Sequence, residues 1–280
     1  MRHGELLSAM VRVERIGSLD LPALQPFATM RMQREHLDQG LFVAESEKIT
    51  RRLLASPVEV VSLLVEEKWQ DEFAALAGAR PESITLFVAP KLMLEQLAGY
   101  PMYQGVLALG RIPNPVPLAD ALAAATAPRL FVAVDGLSSA ENLGIVVRNA
   151  AALGAHALLV GETSAHPYIR RAVRNSMGAI FKLPVIEPAS LADVLLELRR
   201  HHVRTIAAHP HVEGRLPSHA DFRGDCCLVF GSEGAGLSPK VLAACDEAVA
   251  IPMQSGVDSL NVASASAALL YEVRRQRGDA

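Results

Sequence analysis

The sequence predicts an α/β protein made of two units, and three observations support this prediction. Short apolar runs of strand length alternate with helix-length segments from Leu41 to Gly110. Prolines then interrupt the pattern between Arg111 and Pro128. A second alternation starts at Leu130, includes loops rich in glycine, and ends in a long helix. A chain of 280 residues is long for one compact core and suits two domains.

The first alternation predicts a small sheet covered by helices. Its predicted strands are Leu41–Ala44, Val58–Val65, Ile84–Val88 and Val106–Gly110. Its predicted helices are Glu47–Ala55, Glu67–Leu76 and Lys91–Leu97. Upstream, residues 1–26 show a helix-like apolar start followed by two prolines, which is typical of a lead-in or a packing arm.

The proline-rich segment between the two patterns predicts a semi-rigid linker. It contains Pro113, Pro115, Pro117 and Pro128 around an alanine-rich stretch. We therefore expect an N-terminal domain over residues 1–112, a linker over 113–128 and a C-terminal domain over 129–280.

Composition excludes several classes of protein. Half of the residues are hydrophobic and a fifth are charged, which excludes a disordered chain. No apolar run is long enough to span a bilayer and no signal-peptide core follows Arg2, so we expect a cytoplasmic protein without a membrane partner. The three cysteines lack metal-ligand spacing, which predicts buried thiols and no metal site.

A net charge of −3 argues weakly against a partner as acidic as RNA, because phosphate contacts need Lys and Arg. Local basic clusters answer part of this objection, although each could equally be a solvated helix face. The clusters are Arg31 with Arg34, Arg51 with Arg52, Arg170 with Arg171 and Arg174, and Arg199 and Arg200 with Arg204.

Two loops near the C-terminus are suited to holding a polar ligand. The apolar run Cys226–Phe230 leads into Gly231, Gly234 and Gly236, and then into a helix that Ser238 can cap. Backbone amides of such a loop and helix start can bind a ligand. About twenty residues later, the run Ala248–Ile251 gives way to a second loop and a helix of small residues.

These residues carry a resemblance to a known family. Val229–Gly234 with Gly236 and Leu237, then Ile251–Met253 and Ser259–Val262, resemble the second and third motifs of the SpoU (TrmH-like) RNA 2′-O-methyltransferases of the SPOUT superfamily. The first motif is matched by Asn142–Gly144 with Arg148 and Gly154. Ala263 departs from the family, which usually has serine there.

The resemblance implies a C-terminal SPOUT-type parallel sheet with a deep trefoil knot, S-adenosylmethionine as cofactor, and a homodimer. The small residues of Ala263–Ala268 permit the close helix approach that such an interface needs. Upstream, Phe42–Lys48 and Gln104–Val106 resemble the ribosomal-protein-like substrate-binding domain of many such enzymes. Ser46 and Tyr103 stand where that domain often has glycine and histidine, which leaves the RNA target open.

Carried over residue by residue, the resemblance implies two sets of site residues. The catalytic set is Arg148, Asn142, Glu233, Ser259 and Asn261, and the cofactor-binding set is Gly231, Ile251, Met253 and Leu260.

Taken alone, most of these residues have local explanations. Asn142, Ser259 and Asn261 could cap helices, Arg148 could lie on the surface, and helix amides would stabilise Glu233 without a function. A guanidinium is a poor general base, so the sequence favours Arg148 orienting the 2′-hydroxyl and stabilising charge over proton abstraction.

The predicted function is methyl transfer from S-adenosylmethionine to a ribose 2′-hydroxyl of RNA, with ribosomal RNA ahead of transfer RNA because of the extra N-terminal domain. A non-catalytic RNA-binding protein that keeps the fold is the alternative from another class. The glycine spacing is not G-x-G-x-x-G, which disfavours a dehydrogenase, and no G-x-S-x-G elbow indicates a hydrolase.

Overall fold

The computed structural model describes residues 11–99, 105–210 and 215–278. No helix within these ranges combines the length and the apolar character that a membrane crossing requires. The helix-like start over residues 1–10 and Tyr103 of the predicted substrate-binding motif lie outside the described residues.

Strands and helices alternate along most of the chain. The strands are β1 (Arg12–Arg15), β2 (Leu41–Glu45), β3 (Val60–Glu66), β4 (Thr85–Ala89), β5 (Val106–Arg111), β6 (Leu130–Val134), β7 (Ala157–Val160), β8 (Val185–Ile186), β9 (Arg204–Ala208), β10 (Cys226–Phe230) and β11 (Glu247–Val249). The α-helices are α1 (Gln25–Ala28), α2 (Gln33–Asp38), α3 (Glu47–Leu54), α4 (Gln70–Gly78), α5 (Lys91–Ala98), α6 (Leu118–Ala124), α7 (Ala140–Ala152), α8 (Arg170–Asn175), α9 (Leu191–Arg200), α10 (Pro239–Ala244) and α11 (Val262–Arg277).

The chain divides into two compact units. Unit 1 comprises the described residues up to Pro113 together with Tyr168–Phe181, and unit 2 comprises Asn114–Pro167 and the described residues from Lys182 onward. Two features differ from the expected ranges: unit 1 includes α8, and the expected linker contains α6. The assignment of separate functions to the two parts of the chain stays a prediction.

Unit 1 is built on a mixed sheet in the order β1-β4-β3-β5-β2. β1, β4 and β3 are parallel, whereas β5 runs antiparallel to both β3 and β2. A cluster of buried side chains that includes Phe27, Leu64 and Leu107 forms a core of this unit. The upstream segment, whose start is helix-like in sequence, thus provides an edge strand where it is described, at Arg12–Arg15.

Residues 168–181 pack against β2 within unit 1. The Phe42 ring lies 5.2 Å from the Tyr168 ring and 5.6 Å from the Phe181 ring, measured between centroids. Arg170 Nη1 lies 2.7 Å from Glu45 Oε2, and Arg174 also approaches this carboxylate. Aromatic packing and an ion pair that is mostly shielded from solvent therefore hold α8, and the single carboxylate of Glu45 offsets part of the positive charge of this basic cluster.

Ser46 has an unusual backbone conformation at the N-cap of α3. Its φ is +99°, in a region that residues with a Cβ rarely adopt, and its hydroxyl accepts a hydrogen bond from the Ile49 amide at 3.4 Å. Glycine, which the resembling domain often has here, would relieve the strain and lose only a few tenths of a kcal/mol of capping.

We expect Ser46→Gly to raise the free energy of unfolding by about 1 kcal/mol. Ser46→Ala is the matched control, because it removes the hydroxyl cap and keeps the strained φ, so it should lower stability. Thermal and urea unfolding of the full chain measure both changes. A glycine variant that is less stable than the wild type would contradict the strain argument.

Unit 2 is built on a parallel sheet in the order β11-β9-β10-β6-β7-β8. Leu118, Ala121 and Leu122 place one face of α6 in its hydrophobic core, which explains why the proline-rich segment contains an ordered helix. The chain leaves β6 toward β7 on one side, and β10 lies on the other side of β6. Ligands of parallel α/β sheets bind at the carboxyl ends of strands, where the strand order switches direction.

Candidate active site

A cavity of about 400 Å³ lies at the carboxyl ends of the central strands of unit 2. This volume is within the range of small-molecule sites. Its walls come from four segments, namely the end of β9 with Ala208 and His209, the end of β10 with Phe230 and Gly231, the segment after β11 with Ile251 and Met253, and the start of α11 with Leu260 and Asn261.

All four predicted cofactor-binding residues line this cavity. Gly231 and Ile251 contribute to its walls at the strand ends, and Met253 and Leu260 contribute from the second loop. The Leu260 side chain remains 43% exposed, although it is large and apolar. An apolar ligand surface such as a flat aromatic base would cover it.

The glycine loop after β10 is closed by hydrogen bonds within itself. Ser232 and Gly236 exchange both backbone hydrogen bonds, with N···O distances of 2.9 and 3.1 Å, and Gly236 has a φ of +69°. A Cβ on Gly231 would lie 2.6 Å from the Gly236 carbonyl oxygen and closer still to the backbone of Leu237. Gly231 is therefore required by the contact between two backbone segments.

Asp135, directly after the neighbouring strand β6, holds this loop through hydrogen bonds. It was not among the site residues predicted from the sequence. The residue is buried, its amide donates to the Phe230 carbonyl at 2.8 Å, and its Oδ2 accepts from the Ser238 amide at 2.7 Å. Ser238 is also the N-cap of α10, as predicted. The position of Asp135 directly after an apolar strand was the available sequence signal.

Three predicted catalytic side chains meet at the cavity mouth. Asn142 Nδ2 donates to Glu233 Oε1 at 2.7 Å, and Asn261 Nδ2 donates to Asn142 Oδ1 at 3.1 Å. Glu233 and Asn261 also line the cavity. The first, second and third motifs thus converge on one hydrogen-bonded chain of side chains.

The capping explanation is wrong for Asn142 and right for Asn261. Ser139 is the N-cap of α7, and its hydroxyl accepts from the Asn142 amide at 3.2 Å. Asn142 therefore lies in the first turn with its side chain free to reach Glu233. Asn261 is the N-cap of α11, where its Oδ1 accepts from the Ala263 amide at 2.8 Å while its Nδ2 donates to Asn142.

A further asparagine holds the two helices of this network together. Asn149 Nδ2 donates to the Ala263 carbonyl at 2.8 Å and to the Ser266 hydroxyl at 3.0 Å. Ala263 and Ser266 are buried. Part of the small-residue run therefore packs against α7 in the same unit, which explains the small side chain at Ala263.

The remaining two predicted catalytic residues stand apart from the network. Ser259 lines the cavity from the loop before α11. Arg148 is exposed on α7 and does not line the cavity, and its side chain has no ion pair or hydrogen bond with a described residue. It follows Asn142 by six residues, so the two side chains leave the helix about 120° apart.

The charges at the cavity suit a cationic ligand. Among the lining residues that the structure describes, the titratable side chains are His209, Glu233 and Asp258, and none is Lys or Arg. A dinucleotide or another phosphate-bearing ligand would meet two carboxylates without a Lys or Arg side chain to balance them.

The cysteines contribute no reactive thiolate. Cys226 and Cys227 are buried in β10, and Cys245 is partly buried. Burial raises the pKa of the Cys226 thiol to about 11 and that of the Cys245 thiol to about 12. Both groups are therefore protonated at neutral pH, as expected of packing residues.

Comparison with known proteins identifies the family. A sequence model described as the SpoU rRNA methylase family matches residues 129–271, just over half of the chain. The chain belongs to the SpoU rRNA methylase family.

Relatives and solved structures extend the likeness over most of the chain. An uncharacterised tRNA/rRNA methyltransferase of Mycobacterium tuberculosis is 34% identical over 94% of this chain and 92% of its own length. The 23S rRNA (guanosine-2′-O-)-methyltransferase RlmB of Acinetobacter baylyi is 34% identical over 71% of this chain and 82% of its own. The SpoU methyltransferase AviRb of Streptomyces viridochromogenes, solved with S-adenosylmethionine, has a TM-score of 0.79 at 28% identity, over 93% of this chain and 100% of that chain.

This SpoU protein is an RNA methyltransferase that uses S-adenosylmethionine as its methyl donor. The cavity fits that cofactor on chemical grounds. S-Adenosylmethionine carries a sulfonium, an ammonium and one carboxylate, so it is a net cation, in agreement with two carboxylates and no Lys or Arg in the described lining. The trefoil knot that the resemblance implies stays a prediction.

Proposed function

We propose that this SpoU protein transfers the methyl group of S-adenosylmethionine to a ribose 2′-hydroxyl of ribosomal RNA. The observation that carries the proposal is the chain Asn261–Asn142–Glu233, which fixes a carboxylate at the mouth of a cavity suited to a cation. The choice of the 2′-hydroxyl and of ribosomal RNA is supported by the relative from Acinetobacter baylyi, whose name states both.

The fixed carboxylate gives Glu233 a positioning role in this proposal. The cofactor supplies a methyl carbon that is already electrophilic, so the protein must chiefly align the attacking oxygen. Asn142 holds Oε1 of Glu233, and no described residue donates to Oε2. We assign Oε2 to accepting the hydrogen bond of the 2′-hydroxyl, which orients a lone pair of the ribose oxygen toward the cavity.

Arg148 completes the proposed site from the RNA side. Its exposed guanidinium has no protein partner among the described residues, so it is available to a phosphate of the substrate. Bidentate contact with a phosphate beside the reacting ribose would fix the nucleotide and stabilise charge. This role requires no proton transfer to arginine.

The outer face of α11 supports a homodimer as part of the proposal. Ser264 and Ala268 are exposed along this helix, and the Tyr271 side chain one turn further is 55% exposed. Small side chains beside an exposed aromatic ring allow close helix packing and provide apolar area. Light scattering of the purified full chain measures the oligomeric state directly.

The N-terminal domain expected over residues 1–112 is the proposed RNA-recognition domain. Arg34 is exposed on α2, and no described residue pairs with it. Arg51 instead pairs with Glu47 at 2.6 Å, so that basic cluster is partly neutralised. The cytoplasmic location expected from the sequence is compatible with this function and stays a prediction.

The direct test is methyl transfer from labelled S-adenosylmethionine to purified RNA. We expect label in ribosomal RNA that survives removal of the base and makes the adjoining phosphodiester resistant to alkali. Ribosomal RNA and transfer RNA are assayed separately, with Glu233→Gln as the inactive control. Label on a base would contradict the 2′-hydroxyl, and ribose label confined to transfer RNA would contradict the choice of substrate.

A further inference from the structure

Asp258 provides a second carboxylate at the cavity that no predicted role explains. It lies in the loop between Met253 and α11, lines the cavity and is exposed. Its side chain has no ion pair or hydrogen bond with any described residue. Glu233, by contrast, is held by Asn142 at 2.7 Å. Within the described lining, Asp258 is thus the carboxylate that is not engaged by the protein.

The cofactor and its product differ in charge at this cavity. S-Adenosylmethionine has a net charge of about +1 because of its sulfonium, whereas S-adenosylhomocysteine lacks the methyl group and is neutral overall. The described lining contains no Lys or Arg whose charge would offset the attraction between a carboxylate and the sulfonium. A carboxylate at the cavity wall can therefore distinguish the two without touching the sulfur, because the Coulomb interaction acts over several ångströms.

We propose that Asp258 is a specificity-determining residue that makes the cavity bind the charged methyl donor more tightly than the demethylated product. The inference rests on the proposed function, which supplies S-adenosylmethionine as cofactor and S-adenosylhomocysteine as product. Methyl transfer converts the sulfonium of the cofactor into a neutral thioether. The attraction between the ligand and Asp258 therefore falls at the step that forms the product, which must then leave the cavity. Asp258 thereby limits product inhibition.

The expected size of the effect follows from Coulomb's law. For unit charges roughly 8 Å apart in a partly solvated cavity, the attraction favours the cation about fivefold. Contacts to the adenine, ribose and amino-acid parts are common to both ligands, so they cancel in the ratio of the two dissociation constants. Contacts to the methyl group are unchanged by a substitution of Asp258, so they cancel when variants are compared.

Calorimetry on the full chain without RNA measures this ratio, Kd of S-adenosylhomocysteine over Kd of S-adenosylmethionine. Asp258→Asn should lower it about fivefold. Asp258→Glu keeps the charge and should retain most of the wild-type ratio. Asp193→Asn is the matched control, since Asp193 lies on α9 outside the cavity lining and its side chain is 70% exposed. Its ratio should equal that of the wild type.

Salt dependence gives a second measurement, and its wild-type part needs no variant. The wild-type ratio should fall as sodium chloride is raised from about 0.05 to about 0.5 M, because ions screen an exposed carboxylate. The ratio of Asp258→Asn should change less.

Two outcomes separate the inference from the function on which it rests. The first outcome is that Asp258→Asn weakens the binding of both ligands equally, or of neither, and that the wild-type ratio does not change with salt concentration. Asp258 then does not distinguish the ligands by their charge, so the inference is overturned while the proposed function stands. If the wild type binds neither ligand, the proposed function itself fails.

Discussion

Replacing Arg148 with alanine is expected to lower methyl transfer by roughly 10²- to 10³-fold, the usual loss when one charged or hydrogen-bonding group is removed from a transition state. The affinity for S-adenosylmethionine should stay unchanged, because Arg148 is exposed on α7 and does not line the cavity. Arg148→Lys should also lose most activity, since one ammonium cannot reproduce the planar fork of donors.

Single-turnover rates with saturating RNA and calorimetry of the cofactor measure the two quantities separately. Arg223→Ala is the matched control, because Arg223 is an exposed arginine paired with Asp221 in a loop of the same unit. A near-normal rate for Arg148→Ala would mean that this side chain is only a solvated surface residue. A lost affinity for the cofactor would instead place Arg148 at the cavity.

Gly231→Ala is expected to abolish measurable cofactor binding and to lower the melting temperature. The added Cβ would lie 2.6 Å from the Gly236 carbonyl oxygen, and the colliding atoms are backbone, so no side-chain rotation can relieve the overlap. The loop must therefore open, which disrupts the Ser232–Gly236 bridge and moves the cavity wall. Overpacking of this kind costs about 1–3 kcal/mol or more.

Gly224→Ala is the matched control in the same unit. A Cβ at Gly224 meets nothing within 4 Å, its φ is not in the left-handed region, and Gly224 does not line the cavity. That variant should bind S-adenosylmethionine as the wild type does. Calorimetry and thermal unfolding of both variants measure the two effects, and equal cofactor affinity in Gly231→Ala and Gly224→Ala would mean that the glycine loop does not shape the site.

Features with local causes were predictable from the sequence. The strand expected at Leu41–Ala44 and the helix expected at Glu47–Ala55 match β2 and α3 to within a residue, because apolar period and capping residues act over a few positions. Ser238 caps α10 for the same reason. Leu118, Ala121 and Leu122 show helical spacing as well, but the surrounding prolines favoured a linker instead.

The site was only partly predictable, because its contacts join distant residues. The family motifs named Asn142, Glu233 and Asn261, yet the sequence left capping as an alternative for two of them. Pairing of β6 with β10 brings the end of one strand beside the end of the other, and this lets Asn142 reach Glu233, 91 residues away. No local pattern encodes such a pair.

By itself, the sequence determined the α/β class and the glycine loop through local periodicity. Its motifs, in their specific order, carried the family resemblance, and that resemblance implied the cofactor. Only the tertiary structure decided which side chains meet. It buried Asp135 against Ser238, faced Arg148 outward, left Asp258 unpaired at the cavity and placed Tyr168–Phe181 with unit 1. The physical reason is that burial and pairing depend on long-range packing, as Phe42 against Tyr168 illustrates across more than a hundred residues of chain.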